Sequence, residues 1–349
     1  MSVVPQYEPL VRPKYARAVY RQIMTGNIGC CGRVKELEET LADLTGAKHV
    51  LATTSGTSAL MLSLWALRLD PGTKILFPNY TFIAGANAAT VLGYKVVLVD
   101  VREETLCMNP EHVKTLLSAG DIGAVLFVNH NGYMGGDVRK VRALCDEYRV
   151  PMIEDSSQAL FVNRAGRTGD AGVFSFSVPK IVTGGQGGVM LTDDDRVAEI
   201  ASQYRDQGGG WRESRYHRNI GVNLKYNDIQ AAYIMAQLKD RGFLCSTKKA
   251  LLDRYRNHIN LVDFGQPLVA FAIYRTRKAA ALQAALYQHD YESVMYYRPI
   301  SHNPPFSTPR EFPVSLRMYE ELLYLPSSLT LGMRQIDEIC SVINRVEDK

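Results

Sequence analysis

The sequence predicts an α/β protein: a mostly parallel sheet flanked by helices in a large domain over residues 1–240, then a smaller C-terminal α+β domain over residues 241–349. Three observations carry that expectation. Short apolar runs alternate with helical stretches from His49 to Ile153, and such alternation builds parallel sheets covered by helices on both faces. Polar clusters fall directly after the apolar runs, where open sheets of this kind place their ligands. At Arg241 the composition turns basic and helical, and a chain of 349 residues is long for a single core.

Each element has a local cause. Residues 1–26 are polar and aromatic, with a helix expected over Lys14–Met24 that Gly26, Gly29 and Gly32 interrupt. Val34–Leu44 has apolar residues at helical spacing with acids between them, and Gly46 closes it. HVLATT reads as a strand, which Ser55-Gly56-Thr57-Ser58 turns into the apolar helix ALMLSLWALRL. Pro71-Gly72 makes a turn before the strand Lys74–Phe77. Thr81-Phe82 leads into the small-residue helix IAGANAATVLG, and KVVLVDV is the next strand. The series continues with a helix over Pro110–Ser118, a strand over Ala124–Val128, the polar turn HNGYMGG, a helix over Val138–Tyr148 and a strand over Val150–Ile153. Ala171–Phe176 is a further strand, and another apolar run follows the glycine-dense turn at residues 184–188. Beyond a helix over Val197–Tyr204 lie the basic, aromatic loop DQGGGWRESRYHRNIGVN and a long helix after Asp228. In the second domain a helix is expected over Arg241–Arg256, a strand over Val269–Tyr274, a helix over Arg277–His289, a strand over Ser293–Tyr297, a proline-rich loop over Pro299–Pro313 and a last helix over Arg334–Val346.

Composition narrows the function. A hydrophobic content of 46% with 22% charged residues fits a soluble globular protein. The net charge of +4 is small for this length; it argues against a nucleic-acid binder and is compatible with an anionic small substrate. The six cysteines are scattered without CxxC pairs, which suits reduced thiols, and the adjacent Cys30 and Cys31 lack a usual zinc spacing, so no metal is expected. No run reaches the length of a membrane span, and no N-terminal segment joins basic residues to an apolar run, so a cytoplasmic protein with no membrane partner is expected.

The stretch from Met152 to Met190 holds the chemistry. One strand ends in Glu154, Asp155, Ser156, Ser157 and Gln158; the next runs into Ser177, Val178, Pro179 and Lys180, and then the glycine-dense turn. A strand-end lysine can form a Schiff base with an aldehyde cofactor, and a carboxylate can keep a pyridinium nitrogen protonated. The same residues have plainer uses: Asp155 with Ser156 and Ser157 would cap a helix, and most strand-end lysines are solvated. Upstream, a strand turning through Ser-Gly-Thr into a helix offers free N–H groups and hydroxyls at a positive dipole end, suited to a phosphate. Phe82, where a strand yields to a helix, can stack on a flat cofactor or belong to the core.

In this order and at these spacings, SGTSAL, PNYTF, VVLVDV, EDSSQAL, GDAGVFSFSVPK, GGQGGV, GVNLKYNDIQAAYIMAQL and YYRPISH resemble the DegT/DnrJ/EryC1/StrS family of sugar aminotransferases over nearly the whole chain. The resemblance implies the fold-type I architecture of pyridoxal 5'-phosphate enzymes, pyridoxal 5'-phosphate as cofactor, and a homodimer with active sites at the subunit interface. By position, Lys180 matches the lysine that holds the cofactor covalently, Asp155 the partner of the ring nitrogen, Gln158 the residue beside the ring hydroxyl, and Phe82 the stacking aromatic. Gly56, Thr57 and Ser175 match phosphate ligands, with Ser58 beside them. Asn223 matches the asparagine that reaches the phosphate from the neighbouring subunit.

Some relatives carry histidine at the lysine position and dehydrate sugars; lysine here favours transamination. The expected substrates are glutamate and a nucleotide-linked 6-deoxy keto sugar aminated at C-4, with a C-3 keto sugar, a cyclitol, a dehydratase reaction or a non-catalytic regulatory protein as alternatives. Tyr296, Arg298 and His302 lie in the loop where the family often meets the sugar, and Arg212, Arg215 and Arg218 are candidates for its diphosphate. The chain is short for the family in its second domain, and it has SSQAL where an alanine-rich version is commoner.

Overall fold

The computed structural model describes residues 3–209, 216–266 and 268–348. The main sheet has seven strands: β1 His49–Thr53, β2 Lys74–Pro78, β3 Lys95–Val99, β4 Ile122–Val128, β5 Met152–Asp155, β6 Ala171–Ser175 and β7 Gly188–Thr192, ordered β1-β7-β6-β5-β4-β2-β3. The neighbours from β6 through β5, β4 and β2 to β3 pair in parallel. Only β7 is reversed, antiparallel to both β6 and β1. The reversal begins at the glycine-dense turn, where the Phe176 N–H donates to the Gly187 carbonyl at 2.8 Å and the Gly184 N–H to the Phe176 carbonyl at 2.9 Å. Strands β1, β2, β4, β5 and β6 therefore point the same way, and their carboxyl ends share one edge with the start of β7.

Alternation along the strands sorts the cores, since successive strand side chains face opposite ways. Leu126, Ile153, Val173 and Met190 face the helices Gly56–Ala66, Ala84–Val91 and Asp195–Arg205. On the other face, Val125, Phe127 and Met152 meet the helices Pro110–Ser118 and Gly136–Tyr148, while Val189 and Leu191 meet Gly32–Thr45 and Asp228–Leu238. Full burial of one such side chain contributes about 1.5–3 kcal/mol, so both strand faces are held tightly and the carboxyl edge is a rigid platform.

The C-terminal part departs from expectation in three places. The strand expected over Val269–Tyr274 is a short β8, Ile273–Arg275, paired antiparallel with an unforeseen β9, Leu322–Tyr324. Ser293–Tyr297 is not a strand; it touches β9 through one bridge, Val294 to Tyr324. Past Val294 the backbone is claimed by aromatic packing: Tyr80 Oη donates to the Tyr296 carbonyl, and the Tyr296 and Tyr297 rings pack against Tyr324 at 5.1 and 5.9 Å. The proline-rich loop contains two short 3-10 turns and ends in a helix, Pro313–Glu321. Asp100, just beyond β3, starts that helix by accepting from the Val314 and Ser315 N–H groups at 3.0 and 2.8 Å.

The C-terminal core joins Leu252, Tyr255, Phe271, Leu323 and Ile339 to Tyr80, Val101 and Leu106 from the strand-end loops. The N-terminal arm lies along the same part: Val4 bridges Tyr291, the Gln6 N–H donates to Glu292, and the Glu8 N–H donates to Ser328 Oγ. We propose a domain boundary between Asp240 and Arg241, where the helix Asp228–Leu238 gives way to Arg241–Arg256.

Candidate active site

Gly56, Thr57, Phe82, Asp155, Gln158, Ser175, Lys180 and Tyr296 line one cavity of about 450 Å³ over the carboxyl ends of the strands. Gly56 and Thr57 reach it from the end of β1, Phe82 from beyond β2, Asp155 and Gln158 from β5, Ser175 and Lys180 from β6, and Tyr296 from the C-terminal part. The helix Gly56–Ala66 starts immediately after β1, with Ser55 as its cap: Ser55 Oγ accepts from the Ser58 N–H at 3.0 Å. The amides of Gly56 and Thr57 precede that bond and have no carbonyl partner within the helix. A Cβ on Gly56 would sit 2.9 Å from Ser175 Cβ, and one on Gly188 would sit 2.5 Å from the Ser55 carbonyl oxygen. Glycine at both positions lets β6 and β7 approach the helix start closely enough to put Ser175 beside the free amides.

The two acids of β5 separate as strand neighbours do. Glu154 is fully buried and turned away from the cavity. It accepts from Asn129 Nδ2 at 2.6 Å, Ser156 Oγ at 3.1 Å, and the N–H groups of Gly166 at 2.8 Å, Thr168 at 2.6 Å and Gly169 at 3.3 Å. Asp155 faces the cavity, and its hydrogen bonds go to Ser157, whose N–H lies 3.0 Å from Oδ1. Burial raises its pKa above the usual carboxylate range, against the Ser157 hydrogen bonds and the Lys180 charge. No helix follows Asp155; residues 156–170 are turns, so the carboxylate is not a cap.

Lys180 sits at the turn after β6. Its N–H donates to the Ser177 carbonyl at 3.1 Å, and its own carbonyl accepts from Tyr7 Oη at 2.8 Å. Burial lowers its amine to about 8, opposed by the Asp155 charge. At that value about a tenth of the amine is unprotonated at pH 7. Phe82 is 65% exposed, so it is not core; it lines the cavity and meets Tyr297 edge-on at 6.4 Å.

The remaining candidates stand apart. Ser58 is buried in a hydroxyl chain with Thr54 and Ser55, at 2.9 Å from each, and does not line the cavity. Its N–H serves the cap, which takes it out of the free cradle. Asn223 is exposed next to Asp206 and lies outside the cavity lining of this single chain. Arg298 and His302 are exposed and also outside the lining. Arg212 and Arg215 fall outside the described residues, and Arg218 is exposed.

Sequence reasoning missed Asn129, His130, Gln186, Phe271 and Tyr297, all in the lining. Asn129 and His130 directly follow β4 and answer to the strand-end rule that found Asp155. His130 is buried against Tyr80, at 5.2 Å between ring centroids, with Nε2 at 2.7 Å from Tyr324 Oη. Burial pushes its pKa down to about 3, so it is a neutral imidazole. Phe271 and Tyr297 come from the C-terminal part and carry no local signal.

The donor set fits pyridoxal 5'-phosphate: uncommitted helix-start amides with Ser175 for a dianionic phosphate, an exposed aromatic face for a flat ring, a carboxylate lacking a cationic partner other than Lys180, and an amine that burial makes nucleophilic.

The model of the DegT/DnrJ/EryC1/StrS aminotransferase family matches residues 14–344. A UDP-2-acetamido-2-deoxy-3-oxo-D-glucuronate aminotransferase of Pseudomonas aeruginosa is 25% identical, covering 95% of this chain and 96% of that protein. A GDP-perosamine synthase of Vibrio cholerae is also 25% identical, covering 98% of each. Among solved structures, the aminotransferase TlmJ from Streptoalloteichus hindustanus superposes with a TM-score of 0.93 at 24% identity, covering 99% of this chain and 98% of that one. These similarities give a dehydratase no support.

Proposed function

The chain belongs to the DegT/DnrJ/EryC1/StrS aminotransferase family, and from that premise we propose that it uses pyridoxal 5'-phosphate to move an amino group from glutamate onto a nucleotide-linked keto sugar. The observation that carries this reading is the meeting of Lys180, Asp155 and the free Gly56–Thr57 amides around one cavity. The bound cofactor would act as an electron sink for the pair released when a substrate carbon loses its proton. The chain supplies the rest. Asp155, facing the cavity with its hydrogen bonds to Ser157, would keep a ring nitrogen protonated by opposite charge. Lys180 would hold the cofactor and, once displaced by substrate, would be placed to move a proton between the two carbons that flank the linking nitrogen, from its tether at the turn after β6. Gly56, Thr57 and Ser175 hold the phosphate, Phe82 covers the ring, and Gln158 stands at its hydroxyl edge.

The proposed carbon is C-4 of a 6-deoxy keto sugar. C-3 is the second reading, favoured by the 3-oxo substrate in the name of the Pseudomonas relative. Tyr296, in the cavity wall, is the sugar contact we retain; Arg298 and His302 would need a movement of their loop to reach it. We also propose a homodimer in which Asn223 completes the partner's phosphate site, and a cytoplasmic location. Among the described residues no helix is long and apolar enough to cross a membrane.

The test is an absorbance spectrum of the purified protein before and after adding L-glutamate. The expected result is a visible band that shifts to the near-ultraviolet. A visible band unmoved by glutamate removes that donor from the proposal, and no band after adding cofactor overturns it. Nucleotide-linked keto sugars would then be screened for return of the visible band.

A further inference from the structure

Resting on that reading, the structure carries one assignment beyond it. Asn131 follows β4, in the turn His130–Gly132. It is fully buried and holds a left-handed backbone, φ 54°. That conformation is costly for most side chains and tolerated best by asparagine, aspartate and glycine. Every polar group of this residue is engaged. Its N–H donates to Gln158 Oε1 at 2.7 Å, and its carbonyl accepts from the Ala270 N–H at 3.1 Å. Its side-chain amide pairs with the backbone of Phe271 as a strand would: Nδ2 donates to the Phe271 carbonyl at 3.0 Å, and Oδ1 accepts from the Phe271 N–H at 2.8 Å.

The first of these bonds determines which way Gln158 faces. A backbone N–H only donates, so the atom it meets must be the amide oxygen, and the NH₂ group must point the other way. That group donates to Tyr297 Oη at 3.0 Å, which leaves one Nε2 hydrogen uncommitted on a residue that lines the cavity. The other bonds of Asn131 fix Phe271, itself part of the cavity wall. Residues 140 apart in sequence are thereby registered on the same turn that orients Gln158.

We propose that Asn131 is a positioning residue: it sets Gln158 as a hydrogen-bond donor toward the cofactor's oxygen edge and locks the C-terminal wall, through Phe271, to that setting. Tyr297 is its counterpart on the far side of the amide. Without the clamp, the left-handed turn relaxes and Gln158 can rotate to present its oxygen to the same edge, where two acceptors repel. The glutamine contact then depends on the C-terminal wall being in place.

The experiment uses the full chain loaded with pyridoxal 5'-phosphate and reads the pH midpoint of the visible band. The titratable groups facing the ring site are Asp155, Lys180, Tyr296, Tyr297 and His130, and all are retained in Asn131→Gly. That variant tolerates the left-handed φ, so it should fold, yet it loses both bonds to Phe271 that hold the turn, and its N–H is then no longer fixed against Gln158 Oε1. Tyr297→Phe removes the acceptor of Gln158 without touching Asn131. Each is expected to shift the midpoint by about half to one pH unit, the effect of one neutral hydrogen bond. In a Gln158→Ala background the Asn131→Gly shift should vanish, because the effect passes through that amide. An equal shift in that background overturns the assignment, as does an unmoved midpoint in both single variants. If Asn131→Gly does not fold, Tyr297→Phe with and without Gln158→Ala gives the same decision. A wild-type protein with no visible band would instead remove the cofactor reading, and this assignment with it.

Discussion

The cavity has two walls of different origin. One is the sheet edge, where Asp155 and Ser175 end their strands and Gly56 and Lys180 follow theirs within a few residues. The other comes from the C-terminal part, where Phe271, Tyr296 and Tyr297 sit on irregular backbone. The sheet edge inherits its geometry from strand pairing and two buried faces. The second wall is held by particular side-chain bonds: Asn131 to Phe271, Tyr80 to the Tyr296 carbonyl, and Gln158 to Tyr297. On the proposed reading, the rigid wall would carry the groups that hold the cofactor, and the side-chain-pinned wall those that meet the substrate. Substitutions on the first should therefore cost chemistry, and those on the second should chiefly change substrate binding.

The largest expected effect is at the rigid wall. Lys180→Ala should leave a folded protein with turnover reduced at least about 10⁴-fold, since it removes both the attachment and the proton carrier. Retained transamination, measured as keto acid formed from glutamate, would sink the assignment. The adjacent acids then separate catalysis from architecture. Asp155→Asn should lower turnover about 10²–10³-fold with little change in unfolding midpoint, because it removes the charge that holds a ring nitrogen protonated. Glu154→Gln should do the reverse. It weakens charge-assisted bonds from five donors and leaves a misfit amide in a sealed site, at a cost of about 2–4 kcal/mol by denaturant unfolding. Turnover per folded molecule should stay within about threefold. Equal losses of stability in both variants would mean that the two acids share one structural role.

The difference between the walls also explains what could be read from the chain. The strand-end rule placed Gly56, Thr57, Asp155, Gln158 and Lys180 together, because strand and helix periodicity are local properties and the sheet gathers their ends; Ser175 is implied only by the family resemblance. It placed Ser58 among the cradle too, and there a local competition won: Ser55 accepts the Ser58 N–H, as a helix cap does. The Ser293–Tyr297 stretch carries the β-branched and aromatic composition of a strand, but its course follows from the phenol of Tyr80, some 216 positions earlier. No window of sequence contains that contact. The left-handed turn at Asn131 is intermediate: HNG announces a turn, while its partners Phe271 and Ala270 do not appear until the chain returns. Asn223, exposed in a single chain, belongs to a question about a second copy.

The smallest effect concerns a lysine behind the active one. Lys248, on the helix Arg241–Arg256, is 3% exposed and has one polar partner, the Ser327 carbonyl at 2.8 Å. It shares a small cavity of about 40 Å³ with Tyr7 and Lys180. Burial lowers its amine to about 7. With an ordinary unfolded value near 10.4, the unfolded chain binds a proton between these two values that the folded chain does not, so folding stability rises with pH across that window. Lys180, lowered to about 8, adds the same sign over a narrower range. Lys248→Met keeps the aliphatic stem and removes the amine. Unfolding curves of the cofactor-free protein at pH 7 and pH 9 should then lie closer together, with the variant at least as stable as wild type at pH 7 and its turnover within about twofold. An undiminished rise in stability from pH 7 to pH 9 would assign the whole dependence to Lys180. A large loss of turnover would mean that Lys248, through the cavity it shares with Lys180, belongs to the rigid wall after all.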